Sequence, residues 1–162
     1  MEARVVYRTD RPVSRADLSN AALQMRADFG DKQVCERTDE ISIVATDADG
    51  GFIGHASAEV SVRVHEGTAV ETTADAYLSS LFVVAPQRSM GVGRELMHRI
   101  EGRLRERQCT HLWTQTSGYD GHGFYRKLGN EQLFDLPGFF QSGHSHIGFQ
   151  LDLGRGTQLS ME

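Results

Sequence analysis

Arg88-Ser89-Met90-Gly91-Val92-Gly93 carries residue types suited to holding an anion. It follows an apolar stretch, Tyr77–Val84, through Ala85-Pro86-Gln87, and it precedes residues with helical spacing. Such a strand, loop and helix turn the free N–H groups of the helix start toward a ligand, and the helix dipole favours negative charge there. Gly91 and Gly93 carry no Cβ to hold a phosphate away from the backbone. Two other phosphate loops do not fit. A nucleotide P-loop needs Lys-Ser/Thr after its last glycine, and Arg94-Glu95 stands there. A dinucleotide fingerprint needs a third glycine, and none follows at its spacing. An ordinary strand-to-helix turn is the plain alternative.

The elements that must position this loop follow from periodicity. Val92, Leu96, Ile100 and Leu104 recur every four residues with Met97 beside them, which predicts an amphipathic helix lying on a sheet. Glu95–Arg99 and Glu101–Arg105 are i,i+4 pairs for its outer side. Upstream, Val5–Arg8 reads as a short strand. Ser14-Arg15-Ala16-Asp17 is a capping box in acidic form, so a helix is expected over about Asp17–Phe29, stopped by Gly30-Asp31. Lys32–Glu40 is polar and reads as a short helix or loop. Ile41–Thr46 is a strand by its β-branched content, and Asp47-Ala48-Asp49-Gly50-Gly51 a hairpin turn. In Phe52–Val64 the residues Ala56, Ala58, Val60, Val62 and Val64 share one face, opposite His55, Ser57, Glu59, Ser61 and Arg63. His65–Thr73 is expected to be a loop. After the amphipathic helix come a strand at His111–Thr116, a short helix at Gly123–Leu128 stopped by Gly129-Asn130, and strands at Glu131–Asp135 and Ile147–Leu153 around a Pro137-Gly138 turn. The expected fold class is α/β, or α+β layered, with a mixed sheet.

Composition narrows the function classes. The chain has 162 residues, 39% hydrophobic and 24% charged, which suits one soluble domain with a real core. No apolar run is long enough to span a membrane, and the first residues lack the apolar region of a signal peptide. Cys35 and Cys109 form no Cys-x-x-Cys motif, so reduced thiols in a cytoplasmic setting are expected. A net charge of −5 argues against nonspecific nucleic-acid binding and agrees with a cationic acceptor such as an amine. The seven histidines show no zinc spacing, so no metal is expected.

Arg88-x-x-Gly91-x-Gly93 after a strand ending Val84-Ala85-Pro86 resembles the pyrophosphate loop of the GNAT acyltransferase superfamily. About thirty residues on, Phe124-Tyr125-Arg126-Lys127-Leu128-Gly129 resembles the Phe-Tyr-x-x-x-Gly-Phe segment of those enzymes, with Asn130 where phenylalanine is usual. Residues 134–147 resemble the tail of a group of small bacterial GNAT N-acetyltransferases, with Gln141-Ser142-Gly143-His144 replacing the usual Pro-Pro-Gly-His. Gln115-Thr116-Ser117-Gly118-Tyr119-Asp120 keeps only Thr116 of the group's Asp-Thr-Phe-Ser-Phe-Gln. The resemblance covers about residues 41–153.

The resemblance implies a mostly antiparallel central sheet flanked by helices, in one domain over 1–153 with a frayed tail, 154–162. It implies acetyl-CoA as cosubstrate, with the pantetheine arm along Leu81, Phe82, Val83 and Val84. The pyrophosphate would sit on Arg88, Ser89, Met90, Gly91, Val92, Gly93 and Arg94, with Thr116 and Tyr125 completing the coenzyme site. Tyr125 takes the role of general acid toward the departing thiolate, because a nearby O–H donor stabilises charge collapsing onto sulfur. An amine, on a small molecule or a peptide, would attack the thioester directly in a ternary complex. The position that often carries the base is Tyr77 here, which leaves Asp75, Glu59 and His122 as base candidates, with His111 in the next strand. Cys109 at the far end of the amphipathic helix suits a core thiol better than a nucleophile. A homodimer through the late strands is common in the family. A non-catalytic acyl-CoA-binding or sensing module, and a phosphate-binding domain of another α/β type, are the alternatives.

Overall fold

Alternation builds the long second strand. Ala56, Ala58, Val60 and Val62 are fully buried, while His55, Ser57, Glu59, Ser61 and Arg63 between them keep contact with solvent. That is the period of a sheet with one face on a core. The computed structural model describes residue 12 and residues 14–29, 33–65, 71–118 and 121–154. The chain divides into two compact units, Met1–Gln33 and Val34–Glu162. In the first, α1 (Arg15–Phe29) starts two residues before the expected Asp17, directly after Ser14 of the capping box. The Asp17 N–H donates to Ser14 Oγ at 3.1 Å, and the Ser14 hydroxyl donates back to the Asp17 carboxylate at 2.7 Å. The expected strand at Val5–Arg8, the stop at Gly30-Asp31 and the tail beyond Gly154 lie outside the described residues.

The second unit holds the sheet, whose first strand starts at the boundary. Its elements in chain order are β1 (Gln33–Thr46), β2 (Phe52–His65), β3 (Glu71–Val83), α2 (Val92–Glu106), β4 (His111–Ser117), α3 (His122–Lys127), β5 (Glu131–Leu136) and β6 (His146–Asp152). The strand order is β1-β2-β3-β4-β6-β5. β2–β3, β4–β6 and β5–β6 pair antiparallel and β3–β4 parallel, so the sheet is mixed and mostly antiparallel, as expected.

Two expectations are corrected. Gln33–Glu40 is strand, not loop or helix. Its polar composition misleads because β1 is an edge, where charged side chains are tolerated and protective. Arg37 donates to both Glu71 oxygens, at 2.6 and 3.0 Å, and to Asp39 at 3.0 Å; Arg107 donates to Asp39 at 2.7 Å. The bond to Glu71, then that to Asp39, raises the Arg37 guanidinium above its ordinary range. Arg107, then Arg37, holds Asp39 below the usual carboxylate range, and Arg37 does the same for Glu71. The second correction concerns His65–Thr73. β2 runs through His65 and β3 begins at Glu71, so Asp75 sits within a strand rather than at a loop end.

The core forms between the sheet and α2. Leu96, Met97, Ile100 and Leu104 are buried along the helix, with Leu112 and Phe149 buried from β4 and β6. Burial of each such side chain contributes about 1.5–3 kcal/mol. Glu95–Arg99 and Glu101–Arg105 pair on the outer side at 2.6 and 3.4 Å. Cys109 is 1% exposed just past α2, with its N–H donating to the Leu104 carbonyl at 3.0 Å, which makes it a core residue.

The feature that matters for a site is a fork in this sheet. β3 and β4 pair only at Asp75↔His111, Ala76↔Leu112 and Tyr77↔Trp113. Just past the last rung, the buried Thr114 hydroxyl donates to the Leu78 carbonyl at 3.0 Å. The register against β2 then slips: Ser57 faces Ser80 and Ala58 faces Leu78, so Ser79 is a bulge. The Ser79 hydroxyl donates to the Ser57 carbonyl at 3.2 Å. A bulge bends its strand and ends regular pairing, and Leu81–Val83 emerge with one edge open.

Candidate active site

The open edge of β3 leads straight into the anion loop. Val84 N–H donates to Ile53 on β2 at 2.9 Å. Antiparallel alternation therefore turns the polar groups of Leu81 and Val83 the other way, to the open side. A short 3-10 turn, Ala85–Gln87, follows, and Ser89 (φ 60°) and Gly91 (φ 87°) take left-handed conformations. The first backbone bond of α2 runs from Glu95 N–H to the Gly91 carbonyl at 3.0 Å. The N–H groups of Val92, Gly93 and Arg94 precede it and have no acceptor within the helix. The N-cap is Gly91, which has no side chain to cap them.

Gly91 and Gly93 serve different ends. A Cβ at Gly91 meets nothing within 4 Å, and the glycine is there for its positive φ. A Cβ at Gly93 would lie 3.3 Å from Phe124 Cε2 and 3.8 Å from Val83 Cγ2. The second glycine thus makes room for a ring of α3 as well as for a ligand.

Helix α3 closes the opposite wall. Its N-cap Gly121 has φ 72°, and a Cβ there would meet Thr116 Oγ1 at 3.2 Å and Tyr125 Cε2 at 3.6 Å. Tyr125 is 7% exposed, edge-on to Phe124 at 5.4 Å and tilted on Phe149 at 5.5 Å. The tyrosine is therefore fixed by packing rather than free on a loop.

Loop, open strand and α3 enclose one cleft of about 760 Å³. Of the residues singled out in the sequence, it gathers Leu81, Val83, Arg88, Ser89, Gly91, Gly93, Arg94, Thr116, His122 and Tyr125. Phe82 is outside it, stacked on Phe52 at 6.5 Å, and Val84 is engaged with β2. Met90 and Val92 line a separate groove with Ile43 and Val44. Lys127, also in the wall, was missed in the sequence; its signal was a second cation beside the Phe-Tyr pair. Among the described lining residues there are three permanent cations, Arg88, Arg94 and Lys127, and no carboxylate. In a chain of net charge −5 this is a local reversal of sign, suited to a polyanion.

The base candidates are scattered. His122 is in the cleft, one turn before Tyr125, and its buried Nδ1 has no hydrogen-bond partner. Asp75 ion-pairs with Arg63 at the start of the β3–β4 pairing, about 20 Å along the strand from Leu81 at ~3.3 Å per residue. Glu59 is exposed and faces Tyr77 across the β2–β3 ladder. Neither carboxylate lines the cleft. His111 is exposed next to Thr110, whose hydroxyl lies 2.9 Å from its Nδ1. No group of three potential metal ligands occurs among the described residues. No helix among them is long and apolar enough to cross a membrane.

Comparison with known proteins agrees with this geometry. Residues 6–129 match the model of the acetyltransferase (GNAT) family. Among curated proteins none matches the chain in sequence. An acetyltransferase from Bacillus cereus ATCC 14579 shares the fold at 20% identity and TM-score 0.63, over 90% of this chain and 97% of that one. An aminoglycoside 6'-N-acetyltransferase complexed with coenzyme A aligns at 15% identity and TM-score 0.57, over 87% of this chain and 82% of its own. Arabidopsis thaliana NAA60 in complex with acetyl-CoA aligns at 15% identity and TM-score 0.54, over 88% and 96%.

Proposed function

Because the chain belongs to the acetyltransferase (GNAT) family, we propose that it transfers the acetyl group of acetyl-CoA directly to an amine held in the same complex. The observation that carries this reading is the convergence of three parts on one cleft: open amides at the start of α2, the unpaired edge of β3, and Tyr125. The residues fit the group. The N–H groups at the start of α2, with Arg88, Arg94 and Lys127, suit a pyrophosphate. The outward polar groups of Leu81 and the Val83 N–H, beside a Val83 carbonyl that Arg88 already engages, suit an amide-bearing arm that adds as a strand would.

Acetyl-CoA supplies an activated thioester when bound. The amine lone pair forms the new C–N bond to the acetyl carbon while the C–S bond breaks. Tyr125 O–H gives a proton to the leaving sulfur, and the nitrogen loses one to a water or to a nearby base. Amide and free thiol result, and the proton lost by the nitrogen would return through solvent to the Tyr125 oxygen. Fixed by Phe124 and Phe149, Tyr125 places its hydroxyl without an ordering cost at the moment of transfer. His122 is the candidate base that lies in the same cleft; Asp75 is held by Arg63, and Glu59 lies on the neighbouring strand.

The test is an acetyl-CoA titration by calorimetry on the wild type and Gly91→Asp. Aspartate tolerates a left-handed φ better than most residues and is a good N-cap, so the fold should survive. Its carboxylate would meet the pyrophosphate, so binding should fall at least ~100-fold. Unchanged affinity would overturn the reading. Release of free CoA with a panel of amines separates an enzyme from a silent acyl-CoA-binding module.

A further inference from the structure

Consecutive residues at the end of β4 face opposite sides of the sheet. Thr116 lines the cleft, whereas Ser117 lines a second pocket of about 420 Å³ with Phe140, Ser142 and His144. The face of the sheet on that second side carries a continuous band of rings and polar groups. Tyr77 and Trp113, the last paired rung before the fork, touch with ring centroids 4.5 Å apart. Gln115 Nε2 donates to the Tyr77 hydroxyl at 3.3 Å. His146 Nε2 donates to Gln115 Oε1 at 2.9 Å, since an amide oxygen can only accept. Phe140 stacks on His146 with planes 8° apart at 5.6 Å, and Phe139 meets it edge-on at 4.6 Å.

Three properties of this band call for a ligand. Trp113 and Phe140 remain 37% and 38% exposed, and rings grouped on a surface beside a pocket mark a binding site more often than rings scattered singly. The band starts at the Tyr77–Trp113 rung, where the β3–β4 pairing ends and the fork begins. Charge also favours a cation. Glu59 stands opposite Tyr77, and the neighbouring Asp75 and Arg63 neutralise one another.

We propose that this band is the acceptor surface and that it takes a monoamine carried on a flat, apolar body. The inference rests on the acetyl-transfer reading for its consequence, but not for its binding test. The body lies on the Trp113 ring beside Tyr77, and the ammonium is drawn by Glu59 and the ring faces. The Tyr77 oxygen accepts from the amine N–H with a lone pair that Gln115 leaves open. Gln115 and His146 are positioning residues: they reach no substrate atom and fix how the Tyr77 hydroxyl is turned.

Trp113 is the only tryptophan, so its emission reports on this surface without any coenzyme. Phenethylamine should perturb it saturably, and ethylamine at least ~10-fold more weakly. Glu59→Gln should raise the dissociation constant several-fold. In turnover, Gln115→Leu should lower kcat with the KM for acetyl-CoA unchanged, and in a Tyr77→Phe background it should add nothing. Additive effects would leave Gln115 only structural and overturn its positioning role. Acetyl-CoA binding without any phenethylamine effect on the emission would overturn the acceptor surface. A saturable emission change in a protein that fails to bind acetyl-CoA would uphold the surface and sink the transfer reading instead.

Discussion

Gly93 and Phe124 are complementary: a single Cβ on the helix that follows the glycine loop would stand 3.3 Å from the Phe124 ring on the helix that carries Tyr125. The glycine turn and the Phe124-Tyr125 segment, about thirty residues apart in sequence, are therefore one packed unit. Replacing a helical glycine by alanine ordinarily stabilises by up to about 1 kcal/mol. Here the gain meets an overpacking cost of about 1–3 kcal/mol. Gly93→Ala should leave the melting temperature unchanged or lower it, and it should raise the KM for acetyl-CoA several-fold as α3 shifts. Adding Phe124→Leu should recover stability. A thermal-unfolding double-mutant cycle checks this, and purely additive effects would show the contact to be inert.

Arg88 is held ready in the free protein. Its Nε donates to the Val83 carbonyl at 2.9 Å and its guanidinium lies 5.8 Å from the Phe82 ring centroid. That carbonyl belongs to the open strand edge, so Arg88 spans both halves of the proposed coenzyme site. Arg88→Ala should weaken acetyl-CoA binding about 10-fold, some 1.4 kcal/mol. Stability should move by no more than ~0.5 kcal/mol, since the side chain is exposed. Calorimetry at low and high salt checks the sign, because the wild type should lose more affinity on adding salt than the variant.

Acid sensitivity should be written at the β1 end of the sheet. Asp39 and Glu71 are held below their ordinary carboxylate range by Arg107 and Arg37. A depressed folded pKa means that the unfolded chain binds more protons as pH falls. The stabilisation is present above an unfolded pKa of about 4 and is lost as pH drops through the folded values. These groups are exposed and screened, so the effect is modest. Arg37→Gln should reduce stability at pH 6 but differ little from wild type at pH 2. Denaturant melts at the two values check it, and an equal deficit at both would refute the assignment.

Legibility followed the strength of local signals. α2 and the buried face of β2 were plain because each repeats one period over many residues. The glycine turn before α2 and the Phe124-Tyr125 pair were plain because their signals are local: a glycine N-cap, and a ring pair followed by a helix stop. β1 was half missed because Arg37 and Asp39 carry charges that pair across the fold, with Arg37 reaching Glu71 thirty-four residues away. No window of sequence contains that pair. The base candidates scattered for the same reason. Asp75 and Glu59 share a face with Tyr77 by alternation, but only the folded sheet shows that both stand before the fork and outside the lining of the cleft. Gln115 and His146 were invisible as a pair, because they meet only when β6 folds back antiparallel on β4.

Asn130 breaks a rule of helix ends that its neighbours obey. α3 stops in a Schellman motif: Gly129 has φ 86°, its N–H donates to the Arg126 carbonyl at 3.0 Å, and the Asn130 N–H donates to the Tyr125 carbonyl at 3.1 Å. The residue in Asn130's position usually makes an apolar contact back to the last turn. Here it is an amide, 9% exposed, whose Oδ1 has no hydrogen-bond partner. A buried acceptor left unsatisfied costs about 1–3 kcal/mol. Asn130→Leu keeps the backbone bonds and removes that cost, so it should stabilise by about 1 kcal/mol and raise the melting temperature by ~2–4 °C. Asn130→Asp, which buries a charge instead, should destabilise. The denaturation midpoint should move up for leucine with an unchanged slope. A lower midpoint for leucine would mean that the amide is satisfied in solution, by an ordered water. Because the Asn130 N–H and the Tyr125 carbonyl form one bond of the motif, stabilising this stop also steadies Tyr125, and kcat for Asn130→Leu should stay at the wild-type value.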